Sequence, residues 1–230
     1  MRHLSSASPP SQPSSPPSSG PPTGKSTTTG PAVEVAHGPR TANGVALTFH
    51  GAGDPKLAAA LLGEVARAGA RITVLAVGSW LEAYPAMARH ILDGGHELGN
   101  HTLTHPPLRH LDAAACYREV VGCRQVLQRL TGTPGRWFRP SGTPHATPII
   151  AAAAGRAGYR VTLSYDVDPR DFADPGPGVV RDRTLAAVRP GSIVSLHLGH
   201  AGTVDALPGI LDGLRSHGLR AVGVGALLAP

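Results

Sequence analysis

The sequence is poor in cysteine, in aromatic residues and in long apolar runs, and each shortage removes a class of protein. Only 2 cysteines occur among 230 residues. Cys116 and Cys123 fall in one expected helix, where their spacing separates the α-carbons by about 10 Å along the axis, beyond the reach of a disulfide. A disulfide-stapled architecture is therefore excluded, and both thiols are read as buried or helix-face groups. Aromatic residues make up 4% of the chain, too few for the stacking platforms of single-strand binders, and no Arg or Lys run is interleaved with Tyr or Phe. The net charge of +6 and the pI near 10.0 come from scattered arginines, read as a solvated surface rather than a nucleic-acid face. No stretch approaches the ~18 consecutive apolar residues of a transmembrane helix. Met1 to Ser8 carries Arg2 but no apolar h-region, so no secretory signal is legible there.

What is present suits one folded domain. A hydrophobic content of 41% over 230 residues is ordinary for a globular chain with a sizeable core. From Ser5 to about Thr29 the sequence is almost wholly Ser, Pro, Gly and Thr, too little apolar surface to offset the entropy of ordering. Residues 1–42 are read as a disordered tether, of the kind that joins a domain to an anchor, and residues 43–230 as the catalytic domain.

Within that domain, short apolar runs alternate with amphipathic segments. Strands are expected at Val45 to Phe49, Arg71 to Val77, His96 to Asn100, Trp137 to Arg139, Arg160 to Tyr165, Ser192 to His197 and Leu219 to Val224. Helices are expected at Lys56 to Ala68, Tyr84 to Leu92, Asp112 to Leu130, Thr147 to Ala157, Val179 to Val188 and Val204 to His217. Such alternation implies parallel strands with crossover helices, and seven strands fit a distorted (β/α) barrel in the α/β class. Chemistry in such folds sits at the carboxyl ends of strands.

Polar groups gather at those ends. His101 and His105 follow the third strand, and two imidazoles four residues apart on a helical turn can clamp one metal ion. His50 ends the first strand, Arg139 follows Phe138, Asp166 to Asp171 follow the fifth strand, and His197 ends the sixth. One histidine at a strand end has a structural explanation; five strands converging on one face point to a site. His96, His110, His145, His200 and His217 are placed on the surface or in loops. Gly51-Ala52-Gly53 lacks the Gly-Lys-Ser/Thr ending of a phosphate loop and is read as a turn.

These segments resemble a known family. Val-Ala-Leu-Thr-Phe at 45 to 49, Gly-His-Glu-Leu-Gly-Asn-His-Thr-Leu-Thr-His at 95 to 105, Phe-Arg-Pro at 138 to 140, Tyr-Asp-Val-Asp-Pro-Arg-Asp-Phe at 165 to 172 and Pro-Gly-Ser-Ile-Val-Ser-Leu-His at 190 to 197 look like the five ordered motifs of the polysaccharide deacetylases. This is the NodB-homology, carbohydrate esterase family 4 group. The resemblance implies hydrolysis of N-acetyl groups on chitin-like or peptidoglycan glycans, with a divalent metal, usually zinc, and a carboxylate base activating water. It assigns His101 and His105 as metal ligands, His197 as general acid, Asp171 as the residue orienting that acid, and Arg139 as the residue holding the base. With the tether it implies an extracellular or cell-envelope location, while the missing h-region leaves a cytoplasmic one open. It sets no oligomeric state.

The first motif departs from the family. Where two adjacent Asp are expected, as base and third metal ligand, stand His50 and Gly51. Phe172 replaces a usual Trp, Ser195 replaces a pocket-lining Leu, and Arg139 to Gly142 is compressed. Three readings follow. His50 joins His101 and His105 in a three-His site, with Asp54, Asp166 or Asp168 as base or further ligand. Alternatively His50 is the base and Asp54 the third ligand. Lastly, the site has decayed to a carbohydrate-binding pseudoenzyme. A metal-dependent hydrolase of another amide or ester would use the same ligands.

Overall fold

The computed structural model describes residues 30–41 and 43–229; the tether expected over residues 5–29 lies outside them. The expected domain boundary at residue 43 is corrected. Strand β1, Val33–Val35, pairs in parallel with β5, Val161–Leu163, and His37 bridges Ser192. The segment escapes a hydrophobicity reading because Val33 and Glu34 are exposed, and backbone pairing together with the Glu34 carboxylate, which accepts from the His145 ring and the Ala146 amide, holds it.

The central strand is β2, Gly44–Gly51, in which Val45, Leu47 and Phe49 are fully buried, each contributing about 1.5–3 kcal/mol by leaving water. Ala46 and Thr48, on the alternate face, are buried too, the pattern of a parallel strand covered on both sides. It is flanked by β3, Thr73–Ala76, and β6, Ile193–His197, and its first residues pair with β7, Arg220–Val222. Beyond β3 lies β4, Glu97–Asn100. All these pairings are parallel. The circuit continues through single bridges: Phe138 links Asn100 of β4 to Thr162 of β5, and Val167 links that side back to Val194 of β6. Trp137 to Arg139, expected as a strand, thus contributes one bridging residue between strands. The result is an α/β fold of parallel strands, ladder-paired from β4 to β6 and joined to β1 and β5 by single bridges.

Helix α1, Pro55–Arg67, buries Ala58, Leu61, Leu62 and Val65 on one face, the i, i+3, i+4, i+7 spacing of an amphipathic helix. Helix α4, Ala113–Thr131, is capped by Asp112, whose side chain accepts from the Ala115 amide at 2.7 Å, and ends at Gly132 with φ 78°, a left-handed stop that suits glycine. Its buried face carries Cys116 and Cys123, both free. The helix expected over Tyr84 to Leu92 is α3 (Ala86–Asp93); an unexpected short helix, α2 (Gly78–Ala83), precedes it and is separated from it at Pro85, which has no N–H to continue the first. The remaining crossovers are α5 (Pro148–Arg156), α6 (Pro177–Ala187) and α7 (Ala201–Ser216), and α8 (Val224–Leu227) closes the chain. No helix among the described residues is long and apolar enough to cross a membrane. His96, expected on the surface or in a loop, lies in the connection just before β4 and is buried, and its Nδ1 has no hydrogen-bond partner.

Candidate active site

Parallel registration assembles the site. His50 lies opposite His197 in the β2–β6 ladder, and the two rings meet with centroids 4.4 Å apart. His101, one residue past β4, comes within 4.3 Å of His50 on its other side, and within 4.9 Å of His105. Four imidazoles from three strand ends therefore form a continuous chain.

The His101–His105 pairing does not come from a helical turn, which corrects the expected geometry. The segment is irregular, and Thr102 and His105 adopt left-handed backbone at φ 72° and 63°, a cost of order 1–3 kcal/mol each that surrounding contacts must sustain. Those contacts are specific. The Asn100 Oδ1 accepts from the Thr102 amide at 2.8 Å while its Nδ2 donates to the Val120 carbonyl and the Tyr159 hydroxyl. Glu119 of α4 accepts from both the amide and hydroxyl of Thr104, each at 2.8 Å. Leu103 presses on α4 so closely that a Cβ on Gly122 would lie 2.7 Å from its Cδ2. Apolar periodicity and metal-ligand spacing do not mark Asn100, Glu119 and Gly122; the Asn immediately before the first His, at the strand end, is the one local signal for them.

The His101 Nδ1 lies 2.9 Å from the Arg139 carbonyl, an acceptor only, so this nitrogen carries the hydrogen. Its Nε2 is left as a bare lone pair, buried and without a partner. Burial, reinforced by His105, holds the His101 pKa well below the ordinary histidine value. A fixed tautomer and a neutral, unpartnered Nε2 are what a metal ligand requires. Burial likewise depresses His105, and burial followed by His101, Arg139, His197 and His105 depresses His50 strongly. His101 and His105 thus suit a borderline-soft divalent ion.

The third ligand is where expectation and structure part. Among the described residues no group of three or more His, Cys, Asp or Glu side chains is arranged to hold a metal ion. The His50 Nε2 is engaged 3.3 Å from the Ser195 hydroxyl. Asp54 is not brought to the imidazoles: its Oδ1 accepts from the Lys56 amide at 2.8 Å, making it the N-cap of α1. An Asp immediately before Pro at the first helical turn is a cap signal, and that local bond accounts for the residue. Asp166 is also occupied, accepting from Arg40, Ser192 and the Ile193 amide.

Opposite the metal-suited pair stands a complete dyad. The Asp171 Oδ1 takes the His197 Nδ1–H at 2.8 Å, and its Oδ2 accepts from the His197 amide at 2.8 Å and the Thr203 hydroxyl at 2.7 Å. Asp171 is 1% exposed, so three donors compensate a buried carboxylate. His197 keeps Nε2 free toward a cavity of about 480 Å³ whose wall includes His50, His105, Tyr165, Asp168, Ser195 and His197.

Arg139 is buried behind this wall. Its Nε and Nη2 donate to the carbonyls of Leu163 and Ser164, its Nη1 has no partner, and Tyr165 lies with its ring 5.3 Å from the guanidinium. Burial pulls its pKa down to about 10, opposed by Tyr165 and Asp168, so it is a cation at neutral pH.

Residues 37–162 match the family model described as polysaccharide deacetylase. The chain belongs to the polysaccharide deacetylase family. A chitooligosaccharide deacetylase of Bradyrhizobium sp. (strain ANU 289) is 32% identical over 165 residues, 68% of this chain and 71% of the relative. A peptidoglycan-N-acetylglucosamine deacetylase of Bacillus cereus is 30% identical over 188 residues, 80% and 87% of the two chains. Among solved structures, a mutant of a CE4 family pseudoenzyme from Bacillus anthracis, described as having restored enzymatic activity, superposes with TM-score 0.81 at 25% identity, over 87% of this chain and 72% of that one. In this member of the family two departures from the family's motifs touch: His50, in place of the expected base, meets Ser195, in place of a pocket-lining Leu. Phe172, in place of Trp, is 45% exposed and packs edge-on against His197.

Proposed function

We propose that this protein removes N-acetyl groups from N-acetylglucosamine-containing polysaccharide of the cell envelope, peptidoglycan or a chitin-like glycan, with His101 and His105 holding a divalent metal, zinc by donor chemistry. The observation that carries the reading is the intact Asp171–His197 dyad facing the same cavity as the His105 ring and, one ring further in, the unpartnered His101 Nε2. A bound ion supplies polarisation of the acetamide carbonyl and a lowered pKa for water. As the imidazolium, with its Nδ1–H held by Asp171, His197 hands the Nε2 proton to the departing amine and is left as the neutral Nδ1–H tautomer. In this reading His50, whose ring centroid lies 4.3 Å from that of His101, takes the proton from water. Because burial, followed by the neighbouring imidazoles and Arg139, holds its pKa well below the ordinary histidine value, it is a weak base near neutrality, and turnover is expected to be slow.

Acetate release from N-acetylated chitin oligomers and peptidoglycan, with and without added zinc, tests the proposal. Zinc-dependent release that disappears in His101→Ala supports it, and none with any glycan or divalent ion refutes it. A second reading, glycan binding without turnover, draws support from the incomplete donor set and from the unpartnered Arg139 Nη1. Saturable glycan binding with no acetate release distinguishes it.

A further inference from the structure

A second cavity, of about 370 Å³, opens beside the N-terminal ends of the strands. Arg71 precedes β3 and Arg220 begins β7, whereas the imidazoles lie at the other ends of these parallel strands. Three guanidinium side chains from separate segments, Arg71, Arg215 and Arg220, line it, with Leu211, Val222 and Gly223 among the other wall residues. Arg215 is paired with Asp212. Arg71 and Arg220 form no ion pair among the described residues: Arg71 donates to the Ala70 carbonyl at 3.0 Å, and Arg220 to the Asn43 side-chain oxygen at 3.2 Å. Each of those bonds uses one N–H, leaving donors of the fork unspent. Arg71 is also seated, since a Cβ on Gly95 would lie 2.8 Å from its Nε.

The simplest structural role for these arginines is to offset the carbonyl ends of α1 and α7, which terminate nearby and favour cations. That role explains Arg215, in the last turn of α7. It does not explain Arg71 and Arg220, which follow the helix ends and line the same cavity from the residue segments at the starts of β3 and β7. A carboxylate is satisfied by one bidentate fork, whereas several guanidinium groups around one space suit the three or four oxygens of a phosphoryl group. The apolar wall of Leu211 and Val222 leaves room for a small organic substituent.

We propose that this cavity is an anion site for a phosphoryl group carried on a small organic moiety, independent of the glycan cavity. Its source is either a soluble phosphate ester or the headgroup of an anionic lipid. The test uses full-length protein. Titration with inorganic phosphate, glycerol 3-phosphate and, separately, phosphatidylcholine vesicles with and without phosphatidylglycerol is followed by the amide NMR signals of Gly69 and Gly223, which line the cavity. Saturable shifts at these glycines, with affinity falling at least tenfold in R71A/R220A and only partly restored in R71K/R220K, where the charge is kept and the fork is lost, support the site. Response to glycerol 3-phosphate identifies a soluble ester; response only to phosphatidylglycerol vesicles identifies the lipid. No saturable shift with any probe overturns the proposal. So does undiminished binding in R71A/R220A, or shifts confined to residues around His197.

Discussion

His101 and Asp54 show how differently two candidate ligands are used. The buried His101 Nε2 has its tautomer set by the Arg139 carbonyl and no partner of its own. His101→Ala should therefore reduce bound zinc to background, measured by elemental analysis after equilibrium dialysis. Asp54→Ala should leave metal content unchanged and lower stability by about 1 kcal/mol through loss of the α1 cap, read from a denaturant melt. The Asp171–His197 dyad predicts a different signature. Asp171→Asn removes the acceptor that orients the ring, and kcat for acetate release should drop about 100-fold or more with metal content intact. Glycan affinity that fell instead of kcat would remove His197 from the acid role.

At the scale of elements, β2 explains why the motif departure is not simply reversible. Gly51 pairs with Ala76 of β3, and a Cβ there would lie 2.9 Å from Val74 Cγ1 and 3.0 Å from both Ala76 Cα and Cβ. The backbone of β3 has closed over the position where the family carries an aspartate. Gly51→Asp is expected to destabilise by about 1–3 kcal/mol through overpacking, and Val74→Ala to relieve it only in part, because Ala76 Cα is main chain. His50 has room for a smaller side chain. His50→Asp sets a carboxylate near the cationic Arg139 and should raise acetate release above that of the parent, whereas His50→Asp/Gly51→Asp should fold less stably than either parent or single His50 variant. Equal stability across this set, compared by thermal melts, would show that β3 yields more readily than the packing implies.

Across the whole molecule, burying several imidazoles in one wall couples stability to pH. His50 and His101 are held neutral in the fold with pKa values well below 6.5, while the unfolded chain takes up protons at the ordinary value. Below that value the unfolded state binds more protons, so stability is full above about pH 6.5 and falls as pH drops, until each folded pKa is passed. Each histidine contributes up to about 1.4 kcal/mol of loss per pH unit within that window. The metal-free protein should therefore melt at progressively lower temperature between about pH 7 and pH 5, and His50→Ala should flatten the curve. Zinc at about 100 times its dissociation constant should add about 2.7 kcal/mol, an increment that shrinks in acid as protons compete for the same nitrogens.

Local sequence determined much of this. Asp112 and Gly132 bound α4, apolar spacing marks α1, and continuous burial along β2 follows from its unbroken run of apolar residues and Thr48. The alternation of strands and helices was enough to place His50, His101, Arg139 and His197 at one end of a parallel sheet, because side chains at strand ends inherit their position from the ladder. Long-range contacts decided the rest. β1 is held by backbone pairing to residues more than a hundred positions away, the two metal-suited histidines meet through left-handed residues braced by Asn100 and Glu119, and the His50 nitrogen turns to Ser195. Residue types and spacing record which groups are available. Which lone pair stays bare, and which carboxylate is already spent on a cap, depends on hydrogen-bond partners that only the packed chain brings within reach.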